Sequence, residues 1–298
     1  MDLQWDDLKI FLAVARSESL SGAGRVLKVD PATVGRRIAR LEDGLGAPLF
    51  VKSPQGYAMT DAGQRMLSHA ERAEAAMNAA VEELAGQAGT LTGQIRIGAP
   101  DGCANFLLPQ VCAAIVADNP DLEVQIVALP RVFNLSKREA DMAIGVSPPA
   151  AGRLTVQKIT DYKLHLAASR RYLRRNPPIT TLEDLQHHRM VGYIPDMIFD
   201  KELDYLTGIG VERVALASNS VSVQFNWIRQ GGGVGIVHDF AIPSAKGLVK
   251  VLPDRVSLTR SFYLIRHADD RRMDRLNRVA LALADGLKRE VARLEAET

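Results

Sequence analysis

The chain is short of cysteine, aromatics, net charge and long apolar runs, and each shortage removes a class of explanation. Two cysteines in 298 residues cannot frame a disulfide-stapled secreted domain. Cys103 and Cys112 lie nine positions apart with no C-x-x-C. On one helix, their expected setting, that gap rises about 13–14 Å, whereas a disulfide needs Cα atoms within about 7 Å. Both are expected as small buried hydrophobes. No apolar run approaches the ~18 residues of a membrane span. The start, with Asp2, Asp6 and Asp7, has neither the basic opening nor the apolar core of a signal peptide. A cytoplasmic protein without membrane association is expected. A formal charge of +2 excludes a polycationic coat for nucleic acid, so affinity for an anionic partner must come from local clustering.

Catalytic signatures are equally scarce. There is no G-x-S-x-G and no H-E-x-x-H. His187 and His188 are adjacent and so point in different directions, while His165, His238 and His267 stand alone. The run GGGVGIV has the glycines of a dinucleotide loop, but they follow an expected helix and precede an expected strand. A phosphate loop needs strand, glycines and helix in that order. No enzymatic activity, cofactor or metal is expected.

What the chain does have is the stretch DPATVGRRIARLE, residues 30–42. Asp30 suits a helix N-cap and Pro31 the first helical position. Val34, Ile38 and Leu41 form one apolar stripe, with Thr33, Arg36, Arg37 and Arg40 on the other side. Upstream, Leu8, Phe11, Leu12 and Ala15 mark one helix, and Ser19 or Ser21 can cap a second carrying Ala23, Val26 and Leu27. Two short helices joined by the turn Lys28-Val29-Asp30 predict a helix-turn-helix. Two short β-runs around Ser53-Pro54-Gln55-Gly56 then predict a wing. Arg25, Lys28, Arg36, Arg37 and Arg40 face the single acid Asp30 within residues 25–40, a cluster able to neutralise phosphates.

The runs LQWDDLKIFLAVARSESLSGAGRVLKV, RRIARLEDGLGAPLF and MTDAGQRML resemble the N-terminal domain of LysR-type transcriptional regulators. Helix spacing, the LE…LG…LF run and T-x-A-G all fall in register. Gly24 replaces the second of two usual alanines, Asp30-Pro31 replaces Ser-Gln, Gly35 replaces Ser, and Lys52 replaces a frequent arginine. The middle two changes remove base or phosphate contacts, so operator preference does not transfer. The resemblance implies a sequence-specific regulator of double-stranded promoter DNA, with RNA polymerase as a further partner if it activates. Thr33, Arg36 and Arg37 are the candidates for groove contacts. Arg40, Lys52 and Ser53 are the candidates for the phosphate backbone.

Residues 60–88 predict one long helix capped by Thr60. Ala70, Met77 and Leu84 repeat every seven residues, and Met66, Ala73 and Ala80 fill the intervening positions. This coiled-coil-like seam matches the linker and dimerisation helix that the resemblance implies, in a homodimer or homotetramer. GQAGTLTG, residues 86–93, is the clearest break in composition. Beyond it, as far as the strand ADMAIGV (residues 140–146), the order is β-α-β-α-β, which implies a parallel sheet. A short helix is expected to start in residues 134–139.

The domains read as 1–59, a winged helix-turn-helix; 60–88, the linker helix; and 93–298, an α/β effector-binding domain. The last splits into subdomain I, 93–160 and 267–298, and subdomain II, 161–266. The chain is expected to cross near Ser147 and return near Thr259. This half resembles the type 2 periplasmic binding proteins, whose ligands sit between subdomains at strand C-termini and helix N-termini. Asp101, Gly102, Leu129, Pro130 and Ser147 fit such a rim from one side. Tyr193, Ile194, Ser218, Asn219 and Ser220 fit it from the other. Asp101 and Ser218–Ser220 are also ordinary helix caps. A small-molecule effector is the expected ligand. The alternatives are a second half that only oligomerises and, more remotely, a solute-binding protein or enzyme.

Overall fold

Leu8, Phe11, Leu12 and Ala15 share one helical side, and α1 (Trp5–Ser17) buries all four. The computed structural model describes residues 4–53, 56–84, 91–128, 140–149, 152–211, 213–268, 270 and 273–298. It forms two units, Met1–Gln87 with Arg272–Asp274, and Ala88–Arg271 with Arg275–Thr298.

In the first unit, α2 (Leu20–Leu27) begins at Ser19, whose hydroxyl accepts the Gly22 N–H at 3.2 Å. Lys28, in the left-handed region at φ 53°, ends α2 and turns the chain. Helix α3 (Pro31–Leu45) starts from Asp30, whose carboxylate accepts the Ala32 N–H at 2.9 Å. Its buried residues are Val34, Ile38 and Leu41, the expected stripe. Strands β1 (Phe50–Ser53) and β2 (Gly56–Met59) pair antiparallel as the wing. Glu42 explains the LE…LF spacing, because its Oε1 accepts the N–H groups of Leu49 at 2.6 Å and Phe50 at 3.0 Å.

Helix α4 (Asp61–Leu84) is capped by Thr60, whose Oγ1 accepts the Gly63 N–H at 3.0 Å. Gly63 must be glycine, since a Cβ there would lie 2.2 Å from the Leu49 carbonyl oxygen. Arg16 of α1 grips Glu74 of α4 through two bonds, at 3.1 and 2.5 Å. That grip changes the reading of the seam. Ala70 is 1% exposed inside the winged-helix core, and Met66 and Ala73 pack against the same core. These three positions therefore serve their own chain first. Met77, 49% exposed, and Ala80 are open. The Leu84 side chain and residues 85–90 lie outside the described residues.

The second unit is a curled mixed sheet with helices on it. One of its parallel parts is β3 (Gly93–Ala99) between β4 (Leu122–Ala128) and β5 (Met142–Gly145). Next come β6 (Leu154–Ser169) and the short α7 (Arg170–Leu173). Strands β7 (Met190–Gly192), β8 (Leu216–Ala217), β9 (Val234–His238), β10 (Leu248–Lys250) and β11 (Ser257–His267) complete the sheet. The order is β4-β3-β5-β11-β6-β9-β7-β8, with β10 also on β6. Helices α5 (Asp101–Phe106), α6 (Leu108–Asp118), α8 (Val221–Arg229) and α9 (Asp274–Glu295) cover it.

Strand β6 runs unbroken through the polar Asp161, which the Ser261 hydroxyl holds across the ladder at 2.5 Å. Residues 154–158 pair with 263–267 and residues 160–165 with 257–262, with a register shift at Phe262/Tyr263. Cys103 and Cys112 lie on separate helices broken at Leu107, so the single-helix distance does not apply; both are free and buried. Burial pushes the Cys112 thiol up to about 11 and Cys103 higher still. The short helix expected in residues 134–139 lies outside the described residues. The triple glycine serves strand packing: a Cβ on Gly233 would lie 2.2 Å from the Arg189 carbonyl oxygen.

Candidate DNA interface and interlobe cleft

The outer side of α3 carries the four candidate side chains, with different degrees of freedom. Arg36 is exposed and donates to the Thr33 hydroxyl at 3.0 Å, a bond to solvent-facing partners that a base edge can replace. Arg37 lies 3.9 Å from Asp7 and 4.0 Å from Asp6. Arg40, expected at the phosphate backbone, forks onto Asp7 with Nη2 2.5 Å from Oδ1 and Nε 3.1 Å from Oδ2. Asp7 is 3% exposed, and a buried carboxylate needs such a partner. Arg40 thus has a structural duty that its spacing in the sequence does not reveal. Lys52 is exposed on β1, and the Ser53 side chain lies outside the described residues. Among the described residues, Val26 adds an apolar side chain that is 74% exposed on α2.

The second unit holds a cavity of about 20 Å³, enough for roughly one water molecule. Asp101, Gly102, Tyr193 and Asn219 line it, as expected. Ser147, Ile194, Ser218 and Ser220 do not line it, but two of them act beside it. The Ser147 hydroxyl donates to Asp200, 53 positions on. Ser220 Oγ and the Ser222 N–H donate to Asp101 Oδ2 at 3.1 and 2.7 Å. Asp101 thereby caps the first turn of α8 from about 120 positions away in the chain, where unpaired N–H groups favour negative charge. Gly102 permits the approach, since a Cβ there would meet His238 Cε1 at 3.3 Å. Leu129 and Pro130 lie outside the described residues.

The rest of the lining includes four further aromatic side chains, Tyr162, Phe199, Tyr205 and Phe262, and His238. Tyr162 and Phe262 come from the centres of β6 and β11, stacked with centroids 4.1 Å apart. Leu203 closes a turn of 3-10 helix (Lys201–Leu203), Phe199 and Tyr205 come from the irregular stretches on either side of it, and His238 from the end of β9. Tyr205 meets Tyr193 edge-on at 5.8 Å. The signal in the sequence was slight, though three of its 6 tyrosines gather here. Burial raises the hydroxyl pKa values of Tyr162, Tyr193 and Tyr205, and lowers that of His238 to about 4. His238 is therefore neutral at pH 7. Among the described residues no group of three His, Cys, Asp or Glu is arranged to hold a metal, and no helix is long and apolar enough to cross a membrane.

A winged helix-turn-helix with exposed arginines, carried on one chain with a two-lobed α/β binding module, defines a DNA-binding regulator. The chain belongs to the LysR family: residues 5–64 match the bacterial regulatory helix-turn-helix protein, lysR family, and residues 88–288 match the LysR substrate binding domain. It is 25% identical over 259 residues to the transcriptional regulator PtxR of Pseudomonas aeruginosa, covering 84% of the chain and 82% of PtxR. It is 27% identical over 263 residues to the transcriptional activator TtdR of Escherichia coli, covering 83% of the chain and 82% of TtdR. A full-length OxyR variant of Pseudomonas aeruginosa shares the fold at a TM-score of 0.69 and 17% identity, over 96% of this chain and 97% of OxyR. The protein is a DNA-binding transcriptional regulator with an effector-binding domain, and its relatives are regulators rather than enzymes.

Proposed function

We propose that Thr33, Arg36 and Arg37 read the major groove, that Lys52 and Ser53 of the wing hold the phosphate backbone, and that Arg40 adds to that hold from its place beside Asp7. The exposure of Arg36 and Lys52 supports this assignment. The chain works as a homodimer or homotetramer, with the open stretch of α4 from Met77 onward forming the seam. Two recognition helices then meet successive major grooves about 34 Å apart. In an activator, RNA polymerase is the further partner. A cytoplasmic location fits a protein that must reach promoter DNA.

The effector enters between the lobes of the second unit and changes operator binding through its different affinity for the open and closed lobes. One observation carries this reading: Asp101–Ser220/Ser222 and Ser147–Asp200 tie the lobes together across a cavity, so closure rests on a few polar bonds that a ligand can replace. A thermal-shift screen of the full chain against a metabolite library tests it. A ligand at 100 times its dissociation constant stabilises by about 2.7 kcal/mol. A broad library that leaves the melting temperature unmoved would contradict an effector site and favour a second half that only oligomerises.

A further inference from the structure

The cleft has an unusual charge balance for a site entered from a helix N-terminus. A ligand carboxylate would be drawn to the first turn of α8, but Asp101 already occupies it through Ser220 Oγ and the Ser222 N–H. A second anion there would meet like charge at short range. Among the described residues no Lys or Arg lines the cavity; Arg260, whose charge reaches Tyr162 and Tyr205 from outside the lining, is paired with Glu202 at 2.9 Å, and His238, held down to about 4 by burial, is uncharged at neutral pH.

The same lining suits a cation. Asp101 accepts three hydrogen bonds, the third from Asn105 Nδ2 at 3.2 Å, whereas a carboxylate offers about four lone-pair sites. One site remains for a ligand donor without releasing α8. Tyr162, Tyr193, Tyr205, Phe199 and Phe262 surround the space, and aromatic faces attract ammonium groups. The Tyr205 hydroxyl, 5% exposed as a residue, has no hydrogen-bond partner among the described residues. The Ser222 hydroxyl at the α8 end is likewise unpartnered. Buried polar groups left so require an explanation, and a ligand between the lobes supplies one.

We propose that the cleft takes a small organic ammonium ligand, held by the Asp101 carboxylate and the faces of the surrounding tyrosines, and that it discriminates against carboxylates. The proposal rests on reading the cleft as the effector site. Entry requires the lobes to part, because the space now holds about one water.

Two pairs of probes matched in shape test the charge preference: benzylamine against benzoate, and butylamine against butyrate, each at millimolar concentration with the full chain. The amines should raise the melting temperature by several degrees and the carboxylates should not. In calorimetry, Asp101→Asn should weaken benzylamine binding about 10- to 100-fold, the loss typical of a hydrogen bond to a charged group. Tyr205→Phe removes only a hydroxyl, keeps the ring, and should weaken it a few-fold. Should Asp101→Asn fail to fold, Tyr205→Phe and the wild-type charge comparison still decide. Stabilisation by carboxylates and not amines overturns the ammonium proposal and leaves the effector reading standing, as does unchanged benzylamine affinity in Asp101→Asn. If neither pair nor a broad metabolite library shifts the melting temperature, the effector reading falls and the proposal falls with it.

Discussion

Arg36 and Lys52 present the same charge to solvent from different elements, and titration can separate their tasks. If Arg36 reads a base edge, Arg36→Ala should cost about 1–3 kcal/mol and relax preference at one operator position. Lys52→Ala should weaken every sequence alike and flatten the salt dependence. Binding of operator variants at two salt concentrations distinguishes the two, and wild-type affinity in Arg36→Ala would remove that residue from the interface. His238 offers a test of the cleft interior. Its folded value of about 4 lies below the ordinary 6.5 because burial disfavours the cation. The unfolded chain therefore takes up a proton that the folded chain refuses, and stability falls as pH drops from about 6.5 towards 4. Denaturant melts of wild type and His238→Gln should show a shallower acid loss in the variant; parallel curves would contradict a buried neutral imidazole. The arginine cluster was legible because charge opposite an apolar stripe is a local pattern. The duty of Arg40 was not, since Asp7 reaches it from 33 positions away.

The joint between β2 and α4 is built on one glycine. A Cβ at Gly63 would lie 2.2 Å from the Leu49 carbonyl, and backbone cannot give as a side chain can. Gly63→Ala should cost about 1–3 kcal/mol, read from the urea midpoint; an unchanged midpoint would show that the joint yields. Further along α4, the heptad pattern was visible but its partner was not, because apolar periodicity marks a buried stripe without saying what buries it. Ala70 turned out to face its own domain, leaving Met77 as the first open seam position. Replacing Met77 and Leu84 with Glu should shift the protein to monomers with weak operator binding, measured by sedimentation and operator titration. An unchanged assembly would refute the seam. In the second unit strands and helices have a local period to read, whereas the pairing of β6 with β11, with Ser261 opposite Asp161, joins positions 100 apart and leaves no local pattern.

For the whole molecule, helix-turn-helix, linker and α/β half could be read in order because each has its own periodicity. The cleft was readable only where chemistry follows strand and helix ends, at Asp101, Gly102, Tyr193 and Asn219. Tyr162 and Phe262 escaped because they lie at mid-strand, away from the strand ends. Phe199 and Tyr205 escaped because loop segments have no period to read. The central claim is that occupation of this cleft alters DNA recognition. Its most direct test is a footprint of the full chain on a promoter fragment recovered by selection from genomic DNA. It is repeated with and without the small-molecule fraction of cell extracts, for wild type and for Gly102→Leu, which fills the cleft. The account predicts a footprint or operator affinity that changes with extract in the wild type and does not change in Gly102→Leu. Equal responses in both proteins, or none in the wild type across all extracts, would contradict it.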